Sequence, residues 1–208
     1  NRHHFIDVSK MSDWYGLSKD TFMSLYDYDD YVIEYVKKKN SLSGFDGLIY
    51  MPDEFLLDVD GSSPKDARDK VIGLTLLLKD LLVPYNLYFS GTGFHVGIPS
   101  TAFIWKPSTD RHILVKNALQ KAGIFEYADP SVTDKTRIIR VNNTLNSKSR
   151  LWKSCIPDSM LYESIDILLE KVKMKSKHQP NFSLECNPVF DATSKTKPKK
   201  KNLVEDKN

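Results

Sequence analysis

Phe55-Leu56-Leu57-Asp58-Val59-Asp60-Gly61, followed after a long apolar segment by Ser90-Gly91-Thr92-Gly93-Phe94-His95, is the pair of stretches on which the fold turns. The first run is apolar until it reaches its acids. With Leu48-Ile49-Tyr50-Met51 and the turn signal Pro52-Asp53 ahead of it, it reads as the second of two short strands. Carboxylates at i and i+2 of a strand point to one face. Asp58 and Asp60 can therefore converge on one divalent cation while Val59 faces the other way. Hard oxygen donors of this kind suit Mg2+ or Mn2+. Taken alone, Asp-x-Asp-Gly also forms a plain turn.

The second run places two glycines where backbone can approach a ligand closely, with the Ser90 hydroxyl before them and the His95 imidazole after. Such a loop can hold phosphate, or it can be a Gly-rich hairpin joining strands over Tyr85 to Ser90 and Phe94 to Ile98. Between the two motifs, Ser63-Pro64-Lys65-Asp66 forms a capping box with Pro at the first helical position. Val71, Ile72, Leu74, Leu78, Leu81 and Leu82 then carry a buried helix over 64–82. A carboxylate pair at a strand end, a long helix and a Ser-Gly-x-Gly-x-His hairpin form a rarer order than any one piece.

Working outward, apolar Tyr31, Val32, Tyr35 and Val36 give a helix over Asp27 to Lys39. Another runs from Asp110 to Ala122, opened by Ser108-Thr109-Asp110 and closed by Gly123. Arg137 to Val141 is a basic, apolar strand with Leu151 to Ile156 as its return, and Asp158-Ser159 caps a helix through Ile165, Leu168, Leu169 and Val172. Tyr88, Trp105 and Trp152 fall at core spacings. The class is α+β. The Asp58 strand, the Ser90–His95 hairpin and the Arg137 strand are expected to share one antiparallel-rich sheet backed by the helix over 64–82.

A chain of 208 residues, 40% hydrophobic, can bury one substantial core. The reading divides it into a catalytic domain over 1–175, with an N-terminal lobe at about 1–45 and a core at about 46–175, and a basic flexible linker or tail over 176–208. Residues 191–208 hold six Lys against two Asp and one Glu, an excess equal to the whole net charge of +3. The rest is close to neutral, so a nucleic-acid partner needs a local basic groove rather than a broad positive field. Cys155 and Cys186 read as two reduced thiols without zinc-ligand spacing. The absence of an apolar run of about 20 residues and of a signal peptide leads to the expectation of an intracellular, cytoplasmic protein without a membrane partner. The first residue is not Met, which fits a domain cut from a longer polypeptide.

With these residues in this order, the chain resembles the archaeo-eukaryotic primase superfamily. That family's first motif is hydrophobic-Asp-hydrophobic-Asp and its second Ser-x-His; in cellular primases the third is a lone Asp, a Val-Thr pair and a basic run. Here the third part is Asp129, Val132-Thr133, Arg137-Ile138-Ile139-Arg140 and Thr144-Leu145-Asn146-Ser147-Lys148. The likeness spans roughly residues 45 to 155. It implies a two-lobed primase fold with an RRM-like sheet carrying the carboxylates. Asp58, Asp60 and Asp129 would be catalytic ligands of two Mg2+ or Mn2+ ions, with Ser90, Gly91, His95, Arg137 and Lys148 binding the nucleotide. The implied activity is template-directed nucleotidyl transfer, as a DNA primase or DNA polymerase in DNA replication. Its partners would be a single-stranded DNA template, a primer strand and an NTP or dNTP, with a helicase domain in the same longer polypeptide.

Asn146 stands where cellular primases usually carry His, and Asn142-Asn143 replaces a Pro-Gly turn that Asn can also form. Asp134 competes with Asp129 for the third carboxylate. Residues 100–128 hold no Cys cluster, so no zinc insertion is expected and the chain resembles the compact plasmid and viral forms. Two other readings stay open: a metal-dependent nuclease using the same carboxylates with water, and a non-catalytic single-strand-binding replication-initiator module.

Overall fold

The computed structural model describes residues 19–194. The expected lobe residues 1–18 and the Lys-rich end of the tail, 195–208, lie outside the described residues. In chain order the elements are β1 (Phe22–Ser24), β2 (Asp27–Tyr28), α1 (Tyr31–Lys39), β3 (Ile49–Tyr50), β4 (Glu54–Val59), α2 (Pro64–Asp80), β5 (Asn86–Phe89) and β6 (Phe94–Pro99). After them come β7 (Phe103–Ile104), α3 (Arg111–Lys121), β8 (Ile138–Arg140), β9 (Ser154–Ile156), α4 (Ile165–Lys171) and β10 (Phe190–Asp191). The class is α+β. No helix among the described residues is long and apolar enough to cross a membrane.

One antiparallel sheet, in the order β4-β6-β5-β9, organises the molecule. Its register sets Asp58 opposite His95, His95 opposite Tyr88 and Tyr88 opposite Cys155. Residues directly opposite in a ladder share a face, and the face alternates along each strand. One face therefore carries Phe55, Leu57, Val59, Phe94, Val96, Ile98, Leu87 and Phe89, and the other carries Glu54, Asp58, His95, Asn86 and Tyr88. The apolar face joins Ala67, Val71, Leu74 and Leu78 of α2 in one core. Those four recur at helical spacing and are fully buried. Ser63 Oγ accepts from the Asp66 N–H at 3.1 Å and Asp66 accepts from the Ser62 N–H at 2.8 Å, so the start of α2 is set by its own sequence. A smaller cluster of Val32, Val36 and Phe45 holds α1 against its loop.

Several expectations are corrected. The Arg137 strand, β8, does not join the main sheet but forms a two-stranded ribbon with β1, Phe22 opposite Arg140. Leu151 to Ile156 is not its return: β9 pairs with β5. The helix expected from Asp27 begins at Tyr31, because Asp27 and Tyr28 pair with β3. The helix expected from Asp158 is a 3-10 turn over Asp158–Tyr162 followed by α4, which Ser164 caps afresh through the Ile167 N–H. The linker expected from residue 176 instead runs back over the body as far as 194: Asn181 bonds Asn86, and Phe190, 2% exposed, sits in the core where β10 pairs with β7. The hairpin around Gly91-Thr92-Gly93 and the left-handed turn at Asn143, φ 54°, agree with the sequence. Both cysteines are free thiols and Tyr88 is buried.

Candidate active site

The polar face of the sheet meets the β1–β8 ribbon in a cleft with about 180 Å3 of free space. Asp58, Asp60, Ser90, Thr92, His95, Arg137, Arg140 and Asn146 line it, with Phe22 and Ile138 among its apolar residues. Asp60 and His95 thus share one cavity, as a common site requires. The turn between β5 and β6 is built for this approach. Gly91 takes a left-handed φ of 104°, and a Cβ on Gly93 would stand 2.6 Å from the Val59 carbonyl oxygen and 2.8 Å from Asp60 Oδ1. Ser90 Oγ accepts from the Gly93 N–H at 3.1 Å, and the Ser90 N–H donates to the Gly93 carbonyl at 2.9 Å. Neither bond uses the Gly91 or Thr92 amide.

Asp58 is 8% exposed. Burial, then the charge of Asp60, push its carboxyl up to about 6 against the pull of Arg137. Arg137 Nη2 bonds Asp58 Oδ2 and lies 3.9 Å from Asp129 Oδ2. Asp129 is brought alongside by its backbone, whose N–H donates to the Asp58 carbonyl at 2.8 Å. Burial raises its pKa, but bonds from Ser131 and the charges of Arg137 and Lys116 outweigh this and hold it below the usual range. Neither Asp129 nor Asp134 lines the cleft itself, but Asp129 is tied to the Asp58 backbone and lies 3.9 Å from Arg137 Nη2, whereas Asp134 ends the 3-10 turn over Pro130–Thr133, so geometry favours Asp129 over Asp134.

His95 is 5% exposed, with Nε2 3.5 Å from Asp58 Oδ1 and a buried Nδ1 lacking a hydrogen-bond partner. Burial first, then the charges of Lys153, Arg137 and Arg140, depress its pKa far below the ordinary value, so His95 is neutral. Asn146, 7% exposed, reaches the cleft and spends its Oδ1 on the Lys148 and Ser149 N–H groups at 3.0 and 3.3 Å. Lys148 itself is exposed and does not line the cleft, a departure from the expected clamp. The second cationic side chain lining the cleft, beside Arg137, is Arg140. Arg140 pairs with Asp20, a residue whose role no local pattern signalled.

Beneath the cleft lies a buried polar network that the sequence did not disclose. Glu54 Oε1 accepts from Asn86 at 2.6 Å, and Oε2 accepts from the Tyr88 hydroxyl at 2.8 Å. Lys153, 1% exposed, sits 4.8 Å over the Tyr88 ring and donates to the Arg140 carbonyl at 2.7 Å. Burial drives the Lys153 pKa down and the Glu54 pKa up, each opposed by the other's charge. The alternation of Glu54, Leu56 and Asp58 along β4 was the available signal, since a charged residue two positions from Leu56 on the same face marks that face as polar.

Among the described residues no group of three or more His, Cys, Asp or Glu side chains is arranged to hold a metal ion. The expected three-carboxylate cluster is not gathered here; the Arg137 guanidinium bonds Asp58 and lies 3.9 Å from Asp129 Oδ2. The donor set still fits a hard divalent cation. Asp58 and Asp60 concentrate negative charge in a place that already strains the ionised state of Asp58, and a cation relieves that strain. Comparisons of the chain with known protein families, curated proteins and solved structures found no match.

Proposed function

We propose that the chain is a nucleotidyltransferase of the primase-polymerase type, with the two-lobed archaeo-eukaryotic primase fold, which extends or starts a strand on a single-stranded DNA template. The observation that carries this reading is the gathering of Asp58, Asp60, Ser90, His95 and Arg137 in one cleft from separate parts of the sequence. Asp58 and Asp60 would hold Mg2+ or Mn2+, with Asp129 completing the set once Arg137 turns to a phosphate. Bound there, the ions would activate the attacking 3′-hydroxyl and offset charge on the leaving pyrophosphate.

The remaining work belongs to the chain's own groups. Arg137 contributes a charge-assisted bond to the triphosphate, on the order of 1.5–3 kcal/mol, whereas neutral His95 contributes about 0.5–1.5 kcal/mol as an ordinary donor. The Gly91 and Thr92 amides and the Asn146 amide group supply fixed dipoles, which need no reorganisation as charge moves. Phosphoryl transfer is mostly positioning and charge stabilisation, so no protein nucleophile is required.

One observation favours a second reading. Asp58 and Asp60, which share the cleft with His95 (Nε2 3.5 Å from Asp58 Oδ1), could equally hold the ion of a metal-dependent nuclease in which water attacks. A template-directed synthesis assay, with and without primer, with each nucleotide type and each of Mg2+ and Mn2+, tests both. Incorporation that EDTA abolishes supports the polymerase reading. Cleavage of DNA without nucleotides, and no incorporation under any combination, overturns it in favour of the nuclease.

A further inference from the structure

The nucleotide reading leaves the mouth of the cleft without a task. There the β1–β8 ribbon presents Phe22, 47% exposed, and Ile138, 56% exposed, and both line the cleft. Large apolar side chains kept in water beside carboxylates and guanidinium groups contribute little to a core, and together they mark a binding surface. The register explains why they act together. Phe22 lies opposite Arg140 and Ser24 opposite Ile138, so Phe22, Arg140 and Ile138 project from one face of the ribbon.

Arg140 fixes the ring from one side. Its guanidinium carbon lies 4.7 Å from the Phe22 ring centroid, and the guanidinium is itself tied to Asp20 and to the Leu145 carbonyl at 3.2 Å. Asp20 is held in turn by the Ser147 hydroxyl and by its N–H at 3.2 Å. An aromatic ring with a cation bound on one face and about half its surface open is a preorganised stacking platform. Position decides what stacks there. Ser90 and His95 are buried in the cleft, whereas Phe22 and Ile138 stand exposed at its rim. With the phosphates inside, at Ser90, His95 and Arg137, the base is left at the mouth.

We infer that Phe22, backed by Arg140 and flanked by Ile138, is the platform on which the base of the incoming nucleoside triphosphate stacks. The inference rests on the nucleotide reading of the same cleft. Stacking on one ring reads no base edge, so the platform accepts all four bases and holds purines more tightly through their larger π faces.

The test uses the 208-residue chain with Mg2+ and compares two probes by calorimetric titration, ATP and inorganic tripolyphosphate. Phe22→Ala and Phe22→Leu should weaken ATP on the order of tenfold and leave tripolyphosphate unchanged, while Phe22→Trp should keep ATP at wild-type affinity. Phe22→Leu preserves apolar volume and carries the test if the Ala variant does not fold. Unchanged ATP affinity in the Leu variant overturns the platform while leaving the nucleotide reading intact. Equal losses for ATP and tripolyphosphate also overturn it, because Phe22 then shapes the cleft rather than touching a base. Wild-type protein that binds neither probe refutes the nucleotide reading itself, and the platform with it.

Discussion

Replacing Asp58 by Asn separates the cost of the site from its use. The Asp58 carboxyl moves from 3.8 to about 6 on folding, and at about 1.4 kcal/mol per pH unit this amounts to roughly 3 kcal/mol against the ionised form. The side chain is 11% exposed, so solvent screening removes little of it. Because the folded pKa lies above the unfolded one, the native state holds the proton more tightly. Stability from this group is full below about pH 4 and falls as pH rises to about 6, beyond which the whole penalty stands. Asn is neutral, and its amide oxygen still accepts from Arg137. In EDTA at pH 8 the Asp58→Asn variant should therefore melt roughly 6–12 °C above wild type, taking about 2–4 °C per kcal/mol for a chain of this size. At pH 4.5 the gap should shrink. Asp20, Asp66, Asp129 and Asp191, all held below the usual range, favour folding at higher pH, but they do so in both proteins and cancel from the comparison. Adding Mg2+ should raise the melting temperature of wild type and leave the variant's unchanged. A variant that melts below wild type in EDTA at pH 8 would show that the Arg137 pair outweighs burial and the Asp60 charge, and the argument would be wrong.

Asp60→Ala and Asp129→Ala should each abolish nucleotide incorporation with little change in melting temperature, whereas Asp134→Ala should be mild; the reverse ranking of Asp129 and Asp134 in the synthesis assay identifies the other carboxylate as the ligand. Arg137→Ala should lower kcat/KM for nucleotide by one to two decades, on the order of 1.5–3 kcal/mol, His95→Ala by about one decade, and Lys148→Ala hardly at all. A steady-state nucleotide titration at fixed primer-template measures all three, and a large loss in Lys148→Ala would restore that residue to the clamp. Gly93→Ala forces a methyl group against the Val59 carbonyl and Asp60 Oδ1. It should cost about 1–3 kcal/mol in denaturant unfolding and displace the carboxylate enough to suppress turnover, and an unaltered variant would mean the hairpin tip yields freely.

What the sequence made legible was what neighbours along the chain decide. The start of α2 was readable because Ser63 and Asp66 cap it within one turn, and the β5–β6 hairpin because Gly91 and Gly93 close it locally. Asp58, Asp60, Ser90 and His95 came together because a strand end and a hairpin tip on adjacent antiparallel strands are forced to. Partners chosen by tertiary packing were not readable. β8 is three residues long and could pair with any edge; it takes β1, through the Leu25 N–H to the Arg137 carbonyl and the Val141 N–H to the Thr21 carbonyl. Lys148 looked like a clamp residue from its place after Asn146, yet Asn146 turns the backbone there and sends the Lys outward. Residues 176–194 looked like a linker because they are largely polar, and single burials such as Phe190 are invisible to periodicity.

The two walls of the cleft hang from different sheets, and among the described residues β8 shares a ladder only with β1. Substitutions along the ribbon can therefore accumulate without disturbing the register that aligns Asp58 with His95. Under the proposed reading, this divides inheritance within one pocket: the wall that seats the base is free to drift, while the wall that carries the carboxylates is held still. Arg137, bonded to Asp58 from the ribbon side, and Lys153, reaching the Arg140 carbonyl from the sheet side, are where that freedom ends. Variants at these two positions should report on both walls at once, and homologues that differ in how tightly they hold a base should differ first at Phe22, Ile138 and their neighbours.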